Sequence, residues 1–330
     1  LYFGTAAAGL GAGGVTVSGT VEANRLNFGS ASGDITLSGG IIALGGDFPR
    51  IEVDNTSNTV SSAISNTVGI LKKGSGTLTL SGDSSNYTGD TTIYASGGTL
   101  QVGGAGQLES GSYGGAISIG SASTFAYSSS ADQTLSGDIT GDGALIKGSS
   151  GTLTLSGANT YAGDTTIDAG SLKLSGGNAI PDGAGKGDVT VDGTLDLNGS
   201  SETINGLSGS GTVDNTSATA VALAVGKNSD TSSFSGSVAG SVGGLTLNKI
   251  GSGTLTLTGT GNSLADVSAA GGNLVLAGNS TTTLSGSMNV ANNGISSGSH
   301  GTLIVTNNAS LTVAGNFYMG NRSDKIGTAN

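Results

Sequence analysis

Short stretches of strict two-residue alternation mark this chain, and they recur. Thr77-Leu78-Thr79-Leu80 sets two leucines against two threonines. In a strand the leucines share one face and the threonines the other. The same four residues return at positions 152–155 and 254–257. A longer phrase surrounds each, over residues 71–103, 145–175 and 247–277. In the first copy Gly74 and Gly76 precede the strand and Ser81-Gly82 closes it. Glycine adopts positive φ without a steric penalty, so these positions predict corners. Further strands are predicted at Thr92-Ile93 and over 98–102. No segment carries apolar residues at helical spacing, so no helix is predicted.

The strands recur at a short interval. Leu78 and Leu100 are 22 residues apart, Leu153 and Leu172 19, Leu172 and Leu195 23, Leu195 and Val213 18, and Leu255 and Leu274 19. A period near ~20 residues belongs to solenoids and is short for a propeller blade of ~40. A lone rung of this kind cannot cover its own apolar face. Stacked in parallel, the rungs pair strand to strand and share a continuous interior. The expected fold is therefore all-β, a single β-solenoid over 1–330. About fifteen turns at ~4.8 Å spacing would give a rod on the order of 70 Å long. A β-sandwich or propeller array is the alternative architecture.

Outside the marked copies the pattern is looser. Leu1-Tyr2-Phe3-Gly4 echoes Leu26-Asn27-Phe28-Gly29, which predicts a first strand at the start. Val53-Asp54-Asn55-Thr56-Ser57 is echoed by Val213-Asp214-Asn215-Thr216-Ser217. Residues 104–136, with Tyr113, Phe125 and Tyr127, are less regular, and 178–188 (NAIPDGAGKGD) is the clearest loop. Insertions in a solenoid map to loops, so 104–134 and 178–188 are the expected contact surfaces.

Composition narrows the functional classes. Of 330 residues 63 are Gly, 2 are Pro and none is Cys or Trp, and the formal net charge is −11. Glycine without a three-residue period is not collagen, and recurrent Leu/Val/Ile alternation opposes disorder. An acidic chain lacks the basic patches that nucleic acid or an anionic membrane demands, so no nucleic-acid partner and no membrane contact by this segment are expected. The lack of cysteine excludes disulfides and thiolate metal sites and fits export.

The marked copies resemble the autotransporter-associated β-strand repeat of bacterial autotransporter passenger domains. Its pattern runs Lys-x-Gly-x-Gly-Thr-Leu-x-Leu-x-Gly, then Asn-x-Tyr-x-Gly-x-Thr-x-Ile, then Gly-x-Leu. Lys72 with residues 74–80, 87–93 and 98–100 matches it, as does Lys147 with 151–155, 159–167 and 170–172. The third copy keeps Lys249 and 251–257 but loses the Tyr-x-Gly-x-Thr block. The resemblance implies a right-handed parallel β-helix, a fragment of a longer passenger region. It also implies export through the outer membrane of a Gram-negative bacterium and display or release outside the cell. It implies no particular activity.

Candidate chemistry is sparse. Gly294-Ile295-Ser296-Ser297-Gly298 spells a nucleophile elbow, with His300, the chain's one histidine, nearby. An elbow needs a strand-to-helix turn, and no helix pattern follows. One histidine builds no multi-histidine metal site. Gly9-Leu10-Gly11-Ala12-Gly13-Gly14 spells a dinucleotide fingerprint, but a strand pattern follows instead of a helix. Residues 182–188 are a near miss to a calcium-binding nonapeptide, without the tandem array. Asp188, Asp192 and Asp196 recur every four residues. Paired carboxylates serve glycan-cleaving enzymes, yet three Arg and no Trp leave little to hold a sugar, so the three are read as solvated turn residues. Tyr87 and Tyr161 occupy equivalent positions and are expected to pack over a corner with their hydroxyls in water.

No catalytic, cofactor-binding or metal-binding residue is therefore expected, and no cofactor. The sequence reads as a non-enzymatic extracellular scaffold or adhesin. Its partners would be a receptor or glycan on a host or neighbouring cell, or further copies through the solenoid ends. The alternatives are a structural subunit of an extracellular fibre and a polysaccharide lyase or hydrolase on the same scaffold.

Overall fold

The computed structural model describes residues 1–3, 11–47, 49–82, 86–290 and 300–320. It is all-β, a parallel β-solenoid of about 12 turns. The only helical element among the described residues is the three-residue 3₁₀ turn Glu109–Gly111. The period-two stretches form the strands, and each strand pairs in parallel with its counterpart one turn later. Leu78 sits against Leu100, Leu195 against Val213 and Leu255 against Leu274. Tyr2 and Phe3 pair with Asn27 and Phe28, and the Phe3 and Phe28 rings stack with centroids 4.9 Å apart.

The turns are fewer and longer than the expected fifteen of ~20 residues. Register partners lie 18 residues apart at Val189 and Leu207, but 26 at Thr91 and Ile117 and 29 at Leu274 and Leu303. Most strands keep to three to five residues. The extra residues sit at corners, where backbone hydrogen bonding does not fix the count.

Two compact units divide the chain. The first comprises 1–164 with 169–171. One of its faces stacks Tyr2–Phe3, Arg25–Phe28, Arg50–Val53, Ile70–Lys73, Thr91–Ile93, Ile117–Ile119 and Ile139–Gly141. A second face runs from Gly13–Thr16 to Ala144–Lys147 through Thr77–Leu80 and Ser123–Ser129. A third is carried by Thr20–Ala23, Ile41–Leu44, Ala63–Asn66 and Asn86–Tyr87, then by Ser112–Tyr113, Gln133–Leu135 and Thr152–Leu155. The second unit comprises 165–168 with 172–330. Within it Glu202–Ile204, Val221–Val225, Leu245–Lys249, Val267–Ala269, Met288–Val290 and Phe317–Met319 form one face.

The core lies inside the turns. Leu78, Leu80, Leu153, Leu155, Leu255 and Leu257 are all buried, while the intervening threonines are half-exposed. Residues 104–134, expected to be an excursion, belong to the stack. Ser123–Ser129 pairs along its length with Gly98–Gly104, and Leu108, Tyr113, Phe125 and Tyr127 are buried. Small residues interleaved with aromatics hid the alternation there.

The predicted glycine corners divide into two kinds. Gly74 has φ +76°, and a Cβ would lie 2.2 Å from the Val53 carbonyl oxygen. Gly76 has an ordinary φ but no room, since a Cβ would lie 1.9 Å from the Asn55 carbonyl oxygen. The second copy has Ser149 where the first has Gly74, and Ser149 holds the same left-handed backbone at φ 58°. A left-handed L-residue costs ~1–2 kcal/mol. Ser149→Gly should therefore raise stability by about 0.5–1 kcal/mol after the entropy that glycine adds to the unfolded chain. Urea midpoints of the two proteins measure this; an unchanged or lower midpoint would refute the assignment of strain to that corner.

Candidate functional site

The polar residues with chemical potential are concentrated at the corners. Lys147 and Lys249 end their strands and Lys72 is the last residue but one of its own, in strands whose inward residues alternate with outward ones. Ile70 and Lys72 face in, as do Leu145 and Lys147, and Leu247 and Lys249. Each lysine is fully buried. The Lys72 ammonium donates to the carbonyls of Lys73, Gly74, Gly76 and Gly97 at 2.9, 2.8, 2.9 and 2.6 Å. Lys147 donates to the carbonyls of Gly148, Ser149 and Ala169, the last two at 2.9 and 3.1 Å. Lys249 donates to Ile250, Gly251 and Gly271, the last two at 3.2 and 3.3 Å. One ammonium thus gathers carbonyls from its own corner and from the next turn. Burial pushes Lys72 and Lys147 down to about 8, with Asp54 and Asp132 respectively pulling part of the way back. Burial lowers Lys249 as well. Both values of about 8 leave the ammonium predominant at neutral pH, which suits a donor to three or four carbonyls.

The aspartates do the complementary task. Asp188 accepts from the Gly206 amide at 2.7 Å, and Asp192 from the amide and hydroxyl of Ser210 at 2.9 and 2.8 Å. Asp196 accepts from the amides of Asn198 and Thr216 at 2.9 and 3.2 Å and from the Thr216 hydroxyl at 2.7 Å. Lys173 lies 4.0 Å from it. Asp192 is exposed and Asp188 half-buried, but Asp196 is buried. The reading of all three as solvated turn residues is thereby corrected for Asp196. It sits between buried Leu195 and Leu197, and only its neighbours' N–H and O–H groups make that placement affordable. Asp132 and Asp138 cap the amides of Thr152 and Ala158 in the same way, at 2.7 and 2.8 Å.

The 178–188 loop is tied down by two buried side chains further along the chain, Glu202 in the strand Glu202–Ile204 and Asn205 just after it. Glu202 accepts from the amides of Ala179 at 2.9 Å and Thr203 at 3.2 Å. Asn205 accepts from the Gly183 amide at 2.8 Å and donates to the carbonyls of Gly183, Lys186 and Gly187. Ala179 and Ile180 are buried, whereas Ala184 and Gly185 at the tip are exposed. Burial raises the Glu202 carboxyl to about 7 against the opposing amide hydrogen bonds, and the Asp182 charge adds to the rise.

The remaining sequence candidates are not brought together. His300 is exposed, while Ser296 and the rest of 294–298 lie outside the described residues. Gly13 and Gly14 begin the strand Gly13–Thr16, as a compositional match requires, and Gly9 and Leu10 lie outside the described residues. Tyr161 is buried, not lying over a corner with its hydroxyl in water. The Tyr87 side chain lies outside the described residues. Among the described residues no group of three or more His, Asp or Glu gathers as a metal site, and no helix is long and apolar enough to cross a membrane.

Sequence reasoning gave the three lysines no role, although their phase placed them inward with the leucines. Glu202 carried no such signal, because its partner is a loop of no fixed period.

The family model of the passenger-associated-transport-repeat matches residues 70–102, 145–174 and 247–266. Each match contains one buried lysine and its Gly-rich corner. The third ends before the strand Gly272–Leu276, in the copy that lacks the Tyr-x-Gly-x-Thr block. No curated protein and no solved structure matches the chain.

Lys147→Met keeps the volume and leaves three carbonyls without their donor. It should lower stability by about 3 kcal/mol, while Lys227→Met at an exposed position stays within about 0.5 kcal/mol. Chemical denaturation of both variants decides it, and equal effects would refute the corner role. Glu202 supplies a pH test. Its folded value of about 7 lies above the ordinary 4.5, so the folded chain binds more protons than the unfolded one between these values. Stability should therefore fall as pH rises from about 4.5 to about 7, on the order of 1 kcal/mol per unit of pKa difference. Glu202→Gln should flatten that part of the stability–pH curve, and a curve of unchanged slope would rule Glu202 out as its source.

Proposed function

From a chain that carries three autotransporter passenger repeats, we propose a non-enzymatic β-solenoid that acts as a surface scaffold and adhesin. It is exported through the outer membrane of a Gram-negative cell and displayed outside it. One observation carries this reading. The groups that might have served chemistry are engaged with backbone: the three lysines with corner carbonyls, and Asp188, Asp192 and Asp196 with amides 18 to 20 residues further on. Carboxylates engaged in this way are poorly placed to act as acid and base, which weighs against the lyase or hydrolase alternative.

The outward surface is built for contact. Half-exposed threonines and serines repeat along the faces, so weak contacts can recur and add through multivalency. The 178–188 loop adds an exposed tip on an anchored base, and a preorganised tip loses little entropy on binding.

Cells displaying the full-length protein should lose adhesion when the tip is altered by Ala184→Trp with Lys186→Glu, while the purified variant melts at the parent temperature. Adhesion indifferent to every surface substitution, or turnover of a polysaccharide by the purified chain, would overturn the reading. Loss of filaments without loss of adhesion would favour the fibre alternative.

A further inference from the structure

The first unit gathers cations on one outer face of an otherwise acidic chain. Two of the chain's three arginines, Arg25 and Arg50, are direct register partners on adjacent strands, both pointing outward. Like charges directly opposite each other destabilise a sheet. Only one carboxylate lies between them. Glu52 pairs with Arg25 and accepts from Asn27 at 3.0 Å, and it stands 3.9 Å from Arg50. Burial alone would raise the Glu52 carboxyl, but the Arg25 hydrogen bond and charge hold it below its ordinary value. That pairing leaves Arg50 loosely held and the Arg25 Nε without a hydrogen-bond partner.

The next cation stands one turn on in the neighbouring column, that of Asn27 and Glu52, while Leu71 lies against Arg50. Lys73 is the register partner of Glu52, and its ammonium sits 4.1 Å from the centroid of the Tyr94 ring, just past the end of the next strand, Thr91–Ile93. Tyr94 is 45% exposed, so its ring remains open to a flat ligand. Arg25 similarly lies 5.6 Å from the Tyr2 ring. Arg25, Arg50 and Lys73 gather around the single carboxylate of Glu52, a local excess of cations in a chain of net charge −11. Asp54 and Asp90 flank it at the strand ends.

We propose that this face binds a carboxylate-bearing polysaccharide, laid along the stack with acid groups at Arg50 and Lys73 and a sugar ring over Tyr94. From Arg25 to Tyr94 the face crosses three strand spacings, roughly 14 Å, over two neighbouring columns, which suits an extended chain more than a compact anion. A guanidinium matches a planar carboxylate through two parallel hydrogen bonds. Nucleic acid fits less well, because three cations flanked by Asp54 and Asp90 would neutralise too few phosphates to hold it against the rest of the acidic chain. An anion between Arg25 and Arg50 would also relieve their repulsion. This inference gives the adhesive reading a ligand class and rests on that reading for its biological setting.

The test uses the purified full chain and calorimetric titration with polygalacturonate oligomers, with neutral dextran and single-stranded DNA as competitors in class. The chain should bind the polyuronate at low salt, less tightly as salt rises, and bind dextran and DNA far more weakly. Arg50→Gln with Lys73→Gln should weaken polyuronate binding roughly tenfold or more, and Tyr94→Ala should weaken it also. Lys227→Gln, at an exposed position off this face, should leave it unchanged. All variants should keep the parent circular dichroism, and Arg50→Lys, which preserves charge and fold, should still lose affinity. No polyuronate binding, binding unaffected by the face variants, or tighter binding to DNA would overturn the proposal. Because this assay uses no cells, binding without cell adhesion would sink the adhesive reading and leave the face assignment standing; adhesion without polyuronate binding would do the reverse.

Discussion

A stack of parallel turns depends on the fate of its corner backbone. Along each strand the turn-to-turn ladder satisfies N–H and C=O groups automatically, and one strand pairs with the next by simple repetition. At a corner the chain bends away, several carbonyls converge, and no amide in the ladder faces them. An unpartnered buried carbonyl costs about as much as a lost hydrogen bond. A solenoid therefore needs a donor at each tight corner, and it needs that donor again every time the corner recurs.

The three marked repeats meet this need with a lysine drawn inward from the strand end. An ammonium has three donors and no acceptor, so it suits a cluster of carbonyls better than any neutral side chain. Glycine beside it is the geometric counterpart: Gly76 lets one backbone approach another, and Gly74 or Ser149 turns the chain so that its carbonyl points at the ammonium. Asparagine meets the need at other corners. Asn55 and Asn215, the matching residues of the two Val-Asp-Asn-Thr-Ser echoes, are both buried, and each donates to a corner carbonyl, of Gly33 and Thr219 respectively. Aspartate serves corners where amides, not carbonyls, are left over.

Much of this was legible from period alone. Two-residue alternation placed the inward leucines, and the recurrence of Gly-Thr-Leu phrases gave parallel partners such as Leu78 with Leu100 before any geometry was known. Turn number was misjudged because corner length carries no period. The interval over 104–134 was misread because Ser, Ala and Gly between Phe125, Tyr127 and their neighbours blur the apolar alternation that strand pairing restores. Polar residues were harder still. Hydropathy counts Lys72 as outward although its phase says inward, and nothing local distinguishes buried Asp196 from exposed Asp192, four residues earlier. Their placement depends on which N–H groups the next turn presents, and that is fixed only by the stacking.

This division of labour bears on where function can change. Inward and corner positions are constrained by neighbours one turn away, so a substitution there disturbs two turns at once. Outward positions on the strand faces contact only the adjacent outward residues of the same column. They can therefore accept charge or an aromatic ring at little structural cost, provided that opposed like charges are few. The Arg25 and Arg50 pair breaks that proviso, and the strand ladder beneath it is regular on both sides, with Leu26 against Ile51 and Ile51 against Lys72. The fold does not require two arginines in register; the same ladder forms with Thr77 against Thr99 on another face. Glu52 offsets part of the repulsion between the two guanidiniums, and what it leaves uncompensated is the part that a bound anion would relieve.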